Sequence, residues 1–176
     1  LKLNPLGGNV GIGDSSPGQK LVVSSADTEK TSFNLVNTSS GGGNYNIGAI
    51  GSAGWVGGSA GSLVIRDSSA GVTRVILDSS GNLGLGVTPS AWFAGAKVFE
   101  FGSKGNTLTS GSAVQTLLTS NAFFDSSWKY GTTGAAAFYE LNSGSHKWSI
   151  AASGTAGNAV SFTQAMTLDA SGNLMV

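Results

Sequence analysis

Apolar residues in this chain fall in short runs, and within many runs polar and apolar positions alternate. Phe33-Asn34-Leu35 and Val98-Phe99-Glu100-Phe101 show the pattern, which has the period of two expected of a β-strand with one buried face. Comparable runs occupy residues 20–23, 32–36, 62–66, 73–77, 97–101 and 159–163, each bounded by Gly, Ser, Asn or Asp. Such punctuation separates strands. Helical spacing is nearly absent. The best stretch is 112–124, where Val114, Leu117 and Leu118 recur at helical intervals, but Thr116, Thr119 and the nearby glycines oppose a helix there. The pattern predicts an all-β chain of short strands and tight turns.

The runs repeat. Leu77-Asp78-Ser79-Ser80-Gly81-Asn82-Leu83 returns as Leu168-Asp169-Ala170-Ser171-Gly172-Asn173-Leu174, and Leu3-Asn4-Pro5-Leu6-Gly7-Gly8-Asn9-Val10 is a looser copy with one extra residue. The motif predicts a tight turn, with Asn82 or Asn173 among its residues, in which Asp78 or Asp169 accepts a backbone hydrogen bond, Ser fills the middle, and Gly81 or Gly172 supplies the positive φ that closes it. Two copies continue alike, as Gly11-Ile12-Gly13 before Pro17 and Gly84-Leu85-Gly86 before Pro89. Upstream of the turns, two series each read as four strands. One runs through Phe33, Tyr45, Leu63 and Val75, the other through Tyr139, Trp148, Val160 and Met166. The expected organisation is an N-terminal repeat fragment at 1–24, a first β module at 25–90, an aromatic insertion at 91–136 and a second β module at 137–176.

Composition changes the picture in one respect. Glycine supplies 28 of 176 residues, and 40% of the chain is hydrophobic while only 10% is charged. A typical soluble domain is roughly 25% charged. Disordered chains are poor in apolar residues and rich in net charge, and this one is neither. A surface with so few charges favours association, so the chain is expected to hide surface against copies of itself. The nine basic and nine acidic residues are scattered, leaving no footprint for nucleic acid or an anionic membrane. No apolar run is long enough for a membrane-spanning helix. The absence of cysteine excludes disulfides and thiolate metal sites. Opening on Leu1 rather than Met, the chain reads as a piece of a longer protein.

Candidate chemistry is sparse. Gly57-Gly58-Ser59-Ala60-Gly61 matches a nucleophile-elbow pattern, but its flanks are loop-like and the only histidine is His146 in Ser143-Gly144-Ser145-His146-Lys147. The elbow chemistry needs a strand, a helix and a histidine base. No paired carboxylates suggest glycoside hydrolysis, and no cofactor is expected, so the chain reads as non-enzymatic. The aromatics are the remaining candidates. Trp55, Trp128 and Tyr130 either offer faces that stack on sugar rings or anchor interfaces, with Lys129 and Asp125 as charged partners for hydroxyl-rich ligands, or fill an oligomer core in which glycine-rich strands leave volume. Any receptor contact is expected in the insertion at 91–136, because repeats must keep strand register and insertions need not.

The stretch Gly8-Asn9-Val10-Gly11-Ile12-Gly13-Asp14-Ser15-Ser16-Pro17-Gly18-Gln19-Lys20-Leu21 resembles a signature of bacteriophage tail fibre and tailspike proteins. Arg74-Val75-Ile76-Leu77-Asp78-Ser79-Ser80-Gly81-Asn82-Leu83-Gly84-Leu85-Gly86 is similar to the same signature, as is the stretch from Gly154 into Met166-Thr167-Leu168-Asp169. The resemblance covers most of the chain. It implies an elongated, intertwined homotrimer in the virion, acting outside the host cell, joined to other phage tail or baseplate proteins and reaching a glycan or protein receptor on the host surface. In such proteins a self-cleaving intramolecular chaperone often follows repeats of this kind; here the chain stops at Leu174-Met175-Val176. The resemblance carries over no catalytic residue. Two other roles fit the same residues: a terminal receptor-binding module of the fibre, and a bacterial adhesin stalk.

Overall fold

A computed structural model describes residues 8–55 and 57–176. Every regular element among them is a β-strand. The chain forms two compact units, residues 1–73 and 74–176, so the boundary falls within the stretch read from sequence as a single module, 25–90.

In the first unit, β1 (Val10–Ile12) and β2 (Leu21–Val23) form a parallel pair. Beside this pair in sequence lies an antiparallel meander of β3 (Lys30–Val36), β4 (Asn44–Ile50) and β5 (Leu63–Asp67). The described residues between β4 and β5 form a loop whose Gly58 is buried and whose Trp55 is half-buried. A Cβ on Gly58 would come within 2.7 Å of the Val64 side chain. The loop therefore lies on the Val64 and Ile50 side of the meander. Ser59 of the elbow-like motif sits in this loop, and its hydroxyl shares a hydrogen bond with Ser62 Oγ.

The second unit takes in the end of β6 (Val72–Leu77), followed by β7 (Leu83–Leu85), β8 (Lys97–Phe101), β9 (Thr107–Ser112), β10 (Gln115–Ser120), β11 (Ala122–Phe124), β12 (Trp128–Tyr130), β13 (Gly134–Asn142), β14 (Ser145–Gly154), β15 (Thr163–Leu168) and β16 (Leu174–Met175). Its sheet runs in the order β6-β7-β8-β9-β10-β13-β14-β15-β16, and β11 with β12 forms a separate hairpin. All pairs are antiparallel except β7 with β8. Residues 112–124, the best helical stretch in the sequence, are strand and turn instead. Thr116 and Thr119 favour the extended chain, and β10 has a partner on either side. The second series also departs from expectation: Val160 to Phe162 is irregular, and β14 pairs directly with β15. The stretch 91–136 supplies β8, β9 and β10 to the middle of the sheet.

The repeated motifs have repeated geometry. Asp78 Oδ1 accepts from the backbone of Ser80 and Asn82, and Asp78 Oδ2 accepts from Asn82 Nδ2. Asp169 makes the corresponding bonds to Ser171 and Asn173. Gly81 and Gly172 have φ of 83° and 86°, the left-handed region that glycine enters cheaply. The Asn173 side chain, ahead of its backbone N–H, holds the Asp169 carboxyl below its ordinary range. Of the looser third copy, residues 1–7 lie outside the described residues.

The Gly-x-Gly segment encodes a less common device. A Cβ on Gly11 would sit 2.0 Å from Asp14 O, and one on Gly84 would sit 2.1 Å from Val87 O. In each copy the chain turns back against a bare Cα, then passes through Gly13 or Gly86 at positive φ. It crosses over past Pro17 or Pro89 and returns parallel to where it began. Ser24 N bonds Ile12 O in one copy, and Gly102 N bonds Leu85 O in the other. The signature therefore specifies a tight parallel crossover.

Candidate functional site: a bare apolar face and a polar buried one

The strands of the second unit alternate as the sequence suggests, with the faces inverted. In β8 to β10 the covered positions are Val98, Glu100, Thr107, Thr109, Leu117 and Thr119, while Phe101, Leu108 and Leu118 face outward. Leu117 is 4% exposed and its neighbour Leu118 50%; Glu100 is 0% exposed and Phe101 38%. A lone antiparallel sheet ordinarily buries its apolar face and wets the polar one. Here the polar face is the covered one.

Cross-strand register turns the outward residues into a ladder. Leu83 pairs with Phe99, Phe99 with Leu108, Leu108 with Leu118, Leu118 with Tyr139, Tyr139 with Trp148 and Trp148 with Met166. Leu85, Phe101, Leu141 and Ile150 flank it and are exposed. A groove of about 470 Å³ opens on this face, walled by Phe101, Leu118, Tyr139, Trp148 and Ile150. His146 lies on the same face. Its Nδ1 hydrogen-bonds the Tyr139 hydroxyl, and its ring stacks near Trp148 at 6.3 Å and 17°. The first unit has a smaller face of the same kind, where Phe33 pairs with Ile47 and Ile47 with Ile65, flanked by exposed Leu35, Tyr45 and Leu63.

The covered face holds a polar network. Glu100 Oε2 accepts from Ser90 N at 2.6 Å, and Oε1 accepts from Ser90 Oγ at 2.9 Å and from Gly105 N. The Thr107 hydroxyl bonds those of Thr109 and Thr119, and Thr119 donates to Gly105 O. Burial pushes the Glu140 carboxyl up, but hydrogen bonds from Gln115 and Asn142 and the Lys147 ammonium outweigh it and hold the group below the ordinary range. The one sequence signal for Glu100 was its place in register with Val98, on the opposite side from the phenylalanines.

Over this face lies an aromatic cluster, and it accounts for the expected contact residues. Trp128 stacks on Phe138 at 5.2 Å and 8°, and meets Phe124, Phe162 and Trp92 edge-on at 5.5, 5.4 and 6.1 Å. One of its two faces is therefore taken within the chain. Tyr130 is buried, with its hydroxyl donated to Ala152 O at 2.6 Å and its ring against Gly154, where a Cβ would collide. It offers no stacking face, which corrects the expectation for that residue: β12 folds onto the sheet instead of projecting from it. Lys129 and Asp125 pair with each other across the hairpin turn. The Lys129 ammonium, then the Ser126 backbone N–H, hold the Asp125 carboxyl far below the usual range. Trp55 belongs to the first unit, where the Lys30 ammonium lies 4.4 Å above its ring. Among the described residues no group of three or more His, Asp or Glu side chains forms a metal centre.

No protein-family model matches the chain, and no curated protein matches it.

Proposed function

We propose that this chain is a structural segment of a phage tail fibre, a homotrimer in the virion that carries host attachment outside the cell, and that copies associate through the bare apolar face of the second unit. The ladder from Leu83 to Met166 is the observation that carries the association. Contiguous apolar surface of this kind marks interaction sites on soluble proteins. The ladder has no charged member, so the surface that complements it best is another uncharged apolar one, such as the same ladder on a second copy. Assignment to a phage fibre rests on the two Gly-Asn-x-Gly-x-Gly segments, whose matching crossovers suit a repeated, extended architecture. Sedimentation or light scattering at micromolar concentration in native buffer should give three chains per particle. A well-folded monomer under those conditions would sink the proposal.

A terminal receptor-binding module is the second reading, favoured by a pocket of about 220 Å³ lined by Phe93, Phe124, Trp128, Leu117 and Gln115. Aromatic walls suit a single sugar ring. Saturable glycan binding by the assembled protein, lost in Phe93→Ala, would favour this reading over a purely structural role.

A further inference from the structure

We infer that His146 makes this association pH-sensitive, holding copies together near neutral pH and releasing them on acidification; the inference rests on the self-association proposed above. His146 is the only histidine of the chain. It is half-buried on the bare face, in register with Leu141 of β13 and Leu168 of β15. From β13 the one titratable group facing it is the Tyr139 hydroxyl, bonded to Nδ1. From β15 the residues on its side are Leu168 and Met166. Asp169, just beyond β15, has its carboxylate engaged by Ser171 and Asn173. Lys147 and Glu140 pair with each other in the neighbouring register position, on the covered face.

An imidazole there meets apolar side chains and one hydroxyl, and among the described residues of β13 and β15 no carboxylate faces it to balance a charge. Tyr139 does not prevent protonation, since the hydroxyl can accept from Nδ1–H as readily as donate to a bare Nδ1. When the face is covered by another copy, the neutral ring is buried at little cost, whereas the imidazolium would be an uncompensated buried charge. The associated state therefore favours neutral His146. By linkage, association is strongest above the range in which imidazoles take up a proton and is lost as pH falls through it. Each copy contributes one such group, so the effects add across the assembly.

The experiment is sedimentation equilibrium of the wild-type chain, His146→Gln and His146→Arg at about pH 7.5 and about pH 5.5, above the range in which most carboxylates titrate. Wild type should be associated at the higher pH, with its dissociation constant raised on the order of tenfold or more at the lower. His146→Gln should associate equally at both. His146→Arg should be weakened at both, and far-UV circular dichroism at each pH shows whether the variants are folded. A wild type associated equally at both pH values overturns the role of His146 while leaving self-association standing, as does a His146→Gln variant that dissociates on acidification like wild type. A wild type that is folded and monomeric at pH 7.5 overturns the self-association reading and this inference with it.

Discussion

Trp128 is where a contact role and a core role predict opposite results. Replacing it with alanine removes a half-buried indole that stacks on Phe138 and meets three further rings edge-on. A fully enclosed aromatic buries about 150–250 Å², so about 100 Å² is lost here. At about 25 cal/mol per Å² that is about 2.5 kcal/mol. The stack with Phe138 adds about 1 kcal/mol beyond area, and Phe124, Phe138 and Phe162 are left around a void they cannot fully close. The expected loss is about 3–4 kcal/mol, within the range for large-to-small aromatic substitutions. Urea unfolding followed by far-UV circular dichroism measures it, at matched protomer concentration because the proposed association would add to stability. Trp128→Phe should recover more than half of the loss by keeping the stack. If Trp128→Ala costs less than about 1 kcal/mol, the ring is peripheral and the aromatic cluster is not what holds the β11–β12 hairpin to the sheet.

Two further perturbations test other parts of the fold. Glu100→Gln keeps shape but turns an amide N–H toward Ser90 N or Gly105 N, and should cost about 2–4 kcal/mol in urea unfolding; a change within about 0.5 kcal/mol would show that the network around it is not holding the β8–β9 corner. Gly84→Ala and Gly172→Ala should differ sharply. The first drives a Cβ to 2.1 Å from Val87 O, whereas the second meets nothing within 4 Å and carries only the strain of φ 86°, about 1 kcal/mol. A larger melting shift for Gly172→Ala would refute the account of the crossover.

Much of the secondary structure was legible in the sequence because glycine, Asp and Asn write the turns explicitly: Asp78-Ser79-Ser80-Gly81-Asn82 can be read as a turn before any coordinates exist. The parallel crossover was not legible, since nothing in Gly84-Leu85-Gly86 says that the carbonyl of Val87 will fold back on Gly84. The site was read less well. Trp128, Lys129 and Tyr130 look amphipathic and available in a chain of glycine-rich turns, but β12 pairs with β11 and lays its rings on Phe138 and Phe162. Val160 to Phe162 has strand composition but is irregular: Val160 N bonds Trp128 O of β12, and β15 takes the place next to β14. Alternation in Val98-Phe99-Glu100-Phe101 fixes which residues share a face. It is silent on which face the chain itself will cover.

The inversion of the faces has a consequence for how register is specified. Hydrophobic contact is non-directional, so a ladder of Leu, Phe, Tyr, Trp and Met would tolerate a slide of two residues along a strand with little loss. Hydrogen bonds of Glu100 to Ser90 and Gly105, and of Thr119 to Thr107 and Gly105 O, are directional and would not. A slip of one residue would be worse, turning Glu100 to the apolar face and pressing Phe99 or Phe101 onto the threonine hydroxyls. Placing the polar network on the face that the chain covers by itself lets a single chain set its own register. The apolar ladder is then presented in a fixed arrangement, with Phe99, Leu108, Leu118, Tyr139 and Trp148 already aligned across five strands. In the proposed association, a face ordered beforehand would lower the entropy lost when copies meet, which is what a low-charge β-sheet needs if self-association is to outrun edge-to-edge aggregation.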